Sequence, residues 1–122
     1  GAIPAGFPSP AEDFVVEQLD LEAELTKHPR ATYYVRLMGD SLVELGVVDG
    51  TLAVVDCLQR AKSGHVVIAR IDAEYTCKVL HLRNGQMRLK AANPKYPDIV
   101  PKENQTLEIW GVVTSCIKRF AR

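Results

Sequence analysis

The chain has 122 residues, of which 47% are hydrophobic and 25% are charged, a composition typical of one ordinary globular domain. Fifteen basic and fifteen acidic residues give zero net charge, which argues against a strongly basic surface built to hold nucleic acid. No apolar run is long enough to cross a membrane, and no signal peptide is recognisable. The three cysteines are scattered and include no CxxC pair, so they fit a reducing compartment, and we expect neither a metal site nor a cofactor.

The N-terminal region divides into an arm and a short helix. The first ten residues, GAIPAGFPSP, contain three prolines and two glycines. Because proline lacks a backbone N–H and interrupts both helices and sheet interiors, this composition predicts an extended arm, which we bound at residues 1–18. The segment DLEAELTK, residues 20–27, predicts a short helix with Asp20 as its N-cap and Pro29 beyond its end.

After Pro29 the sequence changes to short β-branched and aromatic segments separated by turns. These segments predict strands over residues 32–37, 51–56, 65–71, 74–82, 86–90 and 106–118. Asn84-Gly85 is a strong hairpin signal, because a type I′ turn needs positive φ at both central positions. A loop rich in Pro and Asn follows over residues 93–104, and Gly111 predicts a bend or bulge in the last strand. We therefore predict a mainly β domain over residues 19–122, with twisted sheets forming a sandwich or a partly open barrel.

Two features of this β region suggest chemistry, and the first is the loop MGDSLVELGVVDG, residues 38–50. It joins two predicted strands and places Gly39 and Asp40 directly before Ser41. A serine in such a turn can project its hydroxyl while neighbouring backbone N–H groups stay free to bind an oxyanion. Gly-Asp-Ser is also common turn chemistry, so the loop alone does not separate a nucleophile from a plain turn.

The second feature is Lys78, in the middle of the predicted strand EYTCKVLHL. The two-residue alternation of a strand puts Lys78 on one face with Thr76 and Leu80. A lysine on the same face as an apolar leucine is unusual. Burial would lower the pKa of its amine and make a neutral base available near neutral pH. The alternatives are a lysine that protects a sheet edge from aggregation, or one whose ammonium reaches water.

Together with Ala5-Gly6 in the arm, these features resemble the LexA and UmuD family of self-cleaving SOS-response proteins. The resemblance to its UmuD branch covers nearly the whole chain. It rests on the cleavage segment AGFPSP (5–10), the segment 16–29, Gly-Asp-Ser (39–41) with Gly46 and Asp49-Gly50, the strand 74–80 and the segment 110–113. The family usually has a small residue before Gly-Asp-Ser and a methionine after it. Met38 and Leu42 occupy those places here, a departure that bears on the rate of cleavage.

The resemblance implies a LexA-type peptidase fold and a serine peptidase that acts chiefly on its own chain. Ser41 would be the nucleophile, Lys78 the general base, and the backbone N–H groups of Asp40 and Ser41 the oxyanion hole for cleavage between Ala5 and Gly6. The resemblance also implies a homodimer in the bacterial cytoplasm, cleaved when a RecA filament on single-stranded DNA stimulates it. The cleaved form would be an accessory subunit of a UmuC-like Y-family translesion polymerase of the polymerase V type, with no sequence-specific DNA binding and no membrane attachment.

Three other functions remain open at this point. The first is the peptidase domain of a LexA-type transcriptional repressor, which would carry an N-terminal helix-turn-helix. The second is a signal peptidase, which uses similar chemistry and would carry a membrane anchor. Neither of those patterns occurs in this sequence, so we favour the UmuD branch. The third is a non-enzymatic accessory subunit, a role that the cleaved protein could take after self-cleavage at an earlier stage.

Overall fold

The computed structural model describes residues 18–122, which form a β domain with a single short α-helix. The predicted arm, apart from Gln18, and the Ala5-Gly6 bond lie outside the described residues. The helix is α1 (Leu21–Leu25), and the strands are β1 (Thr32–Arg36), β2 (Leu52–Asp56), β3 (Val66–Ile71), β4 (Glu74–Arg83), β5 (Gln86–Lys90) and β6 (Leu107–Ile117). All six strands lie within one residue of the predicted boundaries at each end, so the prediction of a mainly β fold is confirmed.

The strands form one open antiparallel sheet in the order β1-β2-β6-β3-β4-β5. The C-terminal strand β6 is therefore inserted at the centre, between β2 and β3. Consecutive residues of β3 belong to different apolar clusters, so the sheet buries apolar side chains on both faces. One cluster is built on Leu37, Leu42, Ala53, Val55 and Ile68, and the other on Val67, Ala69, Leu80, Leu89 and Val112.

Turns and a bulge fix the register of the sheet. Asn84 and Gly85 have φ of 52° and 74°, as the predicted type I′ hairpin requires. Ile68 pairs with Gly111 while Ala69 pairs with Ile109, so one residue of β6 is bulged at this point. A Cβ on Gly111 would lie 2.6 Å from a methyl carbon of Val55, which is why glycine is needed there. The predicted bulge is confirmed.

The helix begins as predicted but ends earlier than residue 27. Asp20 Oδ1 accepts a hydrogen bond from the Ala23 N–H at 3.2 Å, which makes Asp20 the N-cap. Thr26 has already left the helical conformation, with φ of −116° and ψ of 105°. Its N–H and its hydroxyl both donate to the Glu22 carbonyl oxygen, at 2.9 and 2.6 Å, and these two bonds close the last turn of the helix. No helix within residues 18–122 is long and apolar enough to span a membrane.

Candidate active site

The fold brings Ser41 and Lys78 into direct contact although they are 37 residues apart. Lys78 Nζ donates a hydrogen bond to Ser41 Oγ at 2.7 Å. The pairing of β3 with β4 places Lys78 opposite Val67, so the sheet itself sets the position of the amine. Only 9% of Lys78 is exposed, and its amine contacts Ser41, so the alternative of a lysine that extends into water is wrong. This is the geometry of a nucleophile beside its base.

Ser41 is held in a turn between a left-handed glycine and a buried leucine. Gly39 has a φ of 90°, which favours glycine, and its N–H donates to Asp49 Oδ1 at 2.7 Å. Leu42, on the other side of Ser41, is 3% exposed and packs into the first apolar cluster. The Gly50 N–H donates to the Leu37 carbonyl oxygen at 2.7 Å and closes the base of the loop. The serine therefore protrudes from a loop whose two flanks are fixed.

Burial is the main influence on the Lys78 amine. Desolvation lowers the pKa of Lys78 below its usual 10.5, whereas the Cys77 thiol and the Asp40 carboxylate oppose this shift. Burial raises the pKa of Cys77 to about 12, so this thiol is uncharged near neutral pH and Asp40 is the opposing charge that remains. Lys78 is thus closer to its neutral, basic form than an exposed lysine is.

A second loop holds Asp40, the residue before the serine. Asn93 Nδ2 donates to the Asp40 carbonyl oxygen at 2.9 Å, the Tyr96 hydroxyl donates to Asp40 Oδ1, and Lys95 Nζ lies 3.6 Å from Asp40 Oδ2. The bond from Tyr96, assisted by Lys95, holds the pKa of Asp40 below its ordinary value. Sequence analysis assigned these three residues only to a loop. Asn93-Pro94 signals a turn, but nothing local to it indicates that the turn contacts Ser41's loop.

The backbone N–H groups of Asp40 and Ser41 are both available to a ligand. Within residues 18–122 neither of them donates a hydrogen bond to a protein acceptor, so each is free to bind a ligand oxygen. The Asp40 N–H also has the carboxylate of its own residue nearby, which contributes slightly to the lowered pKa of Asp40.

A cleft of about 280 Å³ opens beside Ser41. It is bounded by the start of the loop, by β1, by β3 and by the first half of β4, including Val35, Leu37, Ile68, Tyr75 and Thr76. Met38 and Leu42 both line this cleft, but Met38 is 76% exposed whereas Leu42 is 3% exposed and packs into the core. Both departures from the family pattern therefore affect the shape of the cleft, and Leu42 also affects packing.

The cysteines offer no competing nucleophile. Cys57 and Cys77 are half-buried and Cys116 is exposed, and all three are free thiols. Burial raises the pKa of each thiol, which disfavours the reactive thiolate. In the described part of the chain, no three His, Cys, Asp or Glu side chains are grouped in a way that could hold a metal ion.

Comparison with known proteins gives consistent matches over most of the chain. The family described as Peptidase S24-like matches residues 1–114. Protein SamA of Salmonella typhimurium is 46% identical over 116 residues, covering 95% of this chain and 80% of SamA. Protein MucA of Escherichia coli is 40% identical over 113 residues, covering 92% of this chain and 77% of MucA. The LexA repressor of Leptospira interrogans is 36% identical over 103 residues, covering 84% of this chain but 51% of the repressor.

Proposed function

Because this chain belongs to the Peptidase S24-like family, we propose that it is a UmuD-like SOS mutagenesis protein that cuts its own arm between Ala5 and Gly6. The predicted kinship with LexA and UmuD is confirmed by this membership. The observation that carries the proposal is the 2.7 Å hydrogen bond between the buried Lys78 amine and the Ser41 hydroxyl. A lysine that is nearly removed from water and contacts a serine matches the requirements of a serine–lysine dyad.

In the proposed reaction, Ser41 Oγ attacks the carbonyl carbon of Ala5. Neutral Lys78 takes the hydroxyl proton as the new C–O bond forms, and the carbonyl oxygen becomes a transient oxyanion. The C–N bond to Gly6 then breaks as Lys78 gives the proton to the departing Gly6 amine. Water, deprotonated by Lys78, hydrolyses the remaining ester between Ser41 and Ala5 and frees the serine. The reaction needs no metal ion or cofactor.

The oxyanion is proposed to bind the backbone N–H groups of Ser41 and Asp40. The unengaged Ser41 N–H supports the first of these donors. One such donor is typically worth about 3 kcal/mol of barrier, because it meets charge that is present only in the transition state. The cleft beside Ser41 provides space for the small side chains on both sides of the cut bond.

Control of the reaction follows from the charge state of Lys78 and from docking of the arm. A protonated Lys78 cannot accept the serine proton, and Asp40 favours that inactive state. We propose that a RecA filament on single-stranded DNA shifts this balance or the docking of the arm toward cleavage. The tethered arm has a high effective concentration, so the site needs little affinity for free peptides.

The cleaved protein is proposed to act as a homodimer in the bacterial cytoplasm, as an accessory subunit of a UmuC-like Y-family polymerase. A LexA-type repressor domain is the less favoured candidate. Identity to SamA, at 46%, is higher than identity to the LexA repressor, at 36%.

Replacing Ser41 or Lys78 by alanine tests the proposed dyad. We expect either change to reduce self-cleavage by at least about 10³-fold, because the nucleophile and its base act as one unit. The measurement is the rate at which the full chain is cut at Ala5-Gly6, followed by intact mass with activated RecA and, without RecA, at alkaline pH.

Lys90→Ala is the matched control. Lys90 lies on β5 opposite the neighbour of Lys78, but it is half-exposed and its amine lies 4.0 Å from Asp98. We expect its loss to leave cleavage unchanged. Cleavage of folded Lys78→Ala at the wild-type rate would exclude the lysine as the base, and cleavage at another bond would move the substrate site.

A further inference from the structure

The peptide unit between Asp40 and Ser41 is held from outside its own loop. Its carbonyl oxygen accepts the hydrogen bond from Asn93 Nδ2 at 2.9 Å. In a planar trans peptide the C=O and the N–H point in opposite directions. Because Asn93 fixes where the Asp40 oxygen points, it also turns the Ser41 N–H to the opposite side.

Asn93 is itself fixed in a short turn. Its Oδ1 accepts from the Lys95 N–H at 3.0 Å, and its backbone carbonyl accepts from the Tyr96 N–H at 3.1 Å. Because Oδ1 is used in this way, the amide nitrogen must face Asp40, which sets the orientation of the whole side chain. The Glu44 N–H donates to the Ala92 carbonyl oxygen at 2.9 Å and adds an anchor on the other side of Ser41.

We propose that Asn93 is a positioning residue for self-cleavage, which orients the Asp40–Ser41 peptide so that the Ser41 N–H meets the oxyanion. The inference rests on the proposed function. Asn93 acts through the peptide rather than through the Ser41 hydroxyl or the Lys78 amine, with which it forms no hydrogen bond. Its loss should therefore weaken transition-state stabilisation without changing the pH at which the base becomes active.

Asn93→Ser and Asn93→Ala in the full chain separate this role from simple support of the turn. Serine can still accept from the Lys95 N–H but is too short to reach Asp40, whereas alanine does neither. We expect both variants to lower the plateau rate of RecA-free cleavage by about tenfold or more, since a lost oxyanion donor costs 10²–10³-fold and a misdirected one somewhat less. The midpoint of the pH profile should stay at its wild-type position.

Gln105→Ser is the control, because Gln105 lies at the end of the same connection and its amide donates to Asp72 Oδ2 at 3.3 Å, in another turn. We expect it to cleave at the wild-type rate. Denaturant unfolding should show that every variant is fully folded at the temperature of the cleavage assay, because each loses only one or two hydrogen bonds.

Four outcomes would overturn the inference. If Asn93→Ser reaches the wild-type plateau rate, only support of the turn matters. If the midpoint of the pH profile moves together with the plateau rate, Asn93 has a general structural role. A wild-type chain that stays intact under every condition would contradict the proposed function, and the inference with it. Cleavage of the wild type alongside equally fast cleavage of both variants would contradict the inference alone.

Discussion

Lys78 lies in the middle of β4, where backbone pairing with β3 sets its position, whereas Ser41 lies in the loop between β1 and β2, where side chains set it. The lysine strand is fixed residue by residue through the sheet. The serine loop is fixed by a few polar contacts, such as Gly39 with Asp49 and Asp40 with the turn at residues 93–96. We infer that Lys78, the proposed base, is hard to displace although its pKa is easy to change, while Ser41, the proposed nucleophile, is easy to displace.

The largest difference in cleavage rate between the two regions should come from truncating one buried leucine in each. Leu42 and Leu80 are 3% and 1% exposed, and each is a near neighbour of one member of the pair. Leu42→Ala and Leu80→Ala should each lower the free energy of unfolding by about 2–5 kcal/mol. Leu42→Ala should also slow cleavage by about tenfold or more, because misplacing a reacting group by 1 Å can cost 10²-fold.

Leu80→Ala should keep cleavage within about threefold of wild type, since backbone pairing still holds Lys78. Leu42→Met, which is close in volume and matches the family's usual residue, should cost less than about 1.5 kcal/mol and keep the rate. Stability is measured by urea unfolding, and cleavage at a temperature where every variant is folded. Equal rate losses in the two alanine variants would show that the regions do not differ as described.

The contrast also explains what the sequence could predict of the fold. Strand positions, the Asp20 N-cap and the Asn84-Gly85 turn depend on residues close together in the chain, and all were predicted correctly. The central place of β6 depends on pairing with β2 and β3, which are distant in sequence, so no local pattern encodes it. The helix end was misplaced because Thr26, a β-branched residue, adopts an extended conformation and ends the helix two residues before Lys27.

For the candidate site, prediction was uneven for the same reason. Ser41 and Lys78 were singled out by unusual residues in a recognisable order, and the structure brings the two together. Asn93 and Tyr96 were missed, because they reach Asp40 from more than fifty residues away, in a loop with no periodic pattern. Met38 and Leu42 were noted only as departures from a family pattern. Only the structure reveals that Met38 is exposed and Leu42 is buried.

Asp40→Asn should change the pKa of Lys78 without moving its amine, and we expect its effect on the cleavage rate to be of intermediate size. In the proposed mechanism neutral Lys78 is the active form, so the cleavage rate should rise as pH rises through the pKa of Lys78 and then level off. The Asp40 carboxylate raises that pKa, and removing its charge should move the profile to lower pH. At neutral pH the rate should rise, by no more than about fivefold, because solvent screens the charge of an exposed carboxylate.

Asp98→Asn is the control for this shift, because Asp98 pairs with Arg88 at 3.2 Å rather than with either member of the dyad. Its profile should coincide with that of the wild type. A profile of Asp40→Asn that stays in place, or moves to higher pH, would remove Asp40 from the control of Lys78.

Tyr96→Phe should have the smallest effect, and it should move the pH profile of cleavage in the direction opposite to that of Asp40→Asn. The Tyr96 hydroxyl stabilises the Asp40 carboxylate and draws part of its negative charge away from Lys78. Without it Asp40 stays ionised near neutral pH, since its ordinary pKa is 3.8 and Lys95 remains 3.6 Å away. The less compensated charge should hold Lys78 in its protonated form to a higher pH, and slow cleavage at neutral pH by about twofold.

The double variant Tyr96→Phe with Asp40→Asn determines whether this effect passes through Asp40. Phenylalanine keeps the aromatic ring whose centroid lies 5.7 Å from Lys78 Nζ, so only the hydroxyl is removed. If the Tyr96 hydroxyl acts by drawing negative charge away from Lys78 at Asp40, its removal should not shift the pH profile of a chain that already carries Asp40→Asn. If Tyr96→Phe shifts the pH profile equally in the wild type and in Asp40→Asn, Tyr96 acts on Lys78 directly rather than through Asp40.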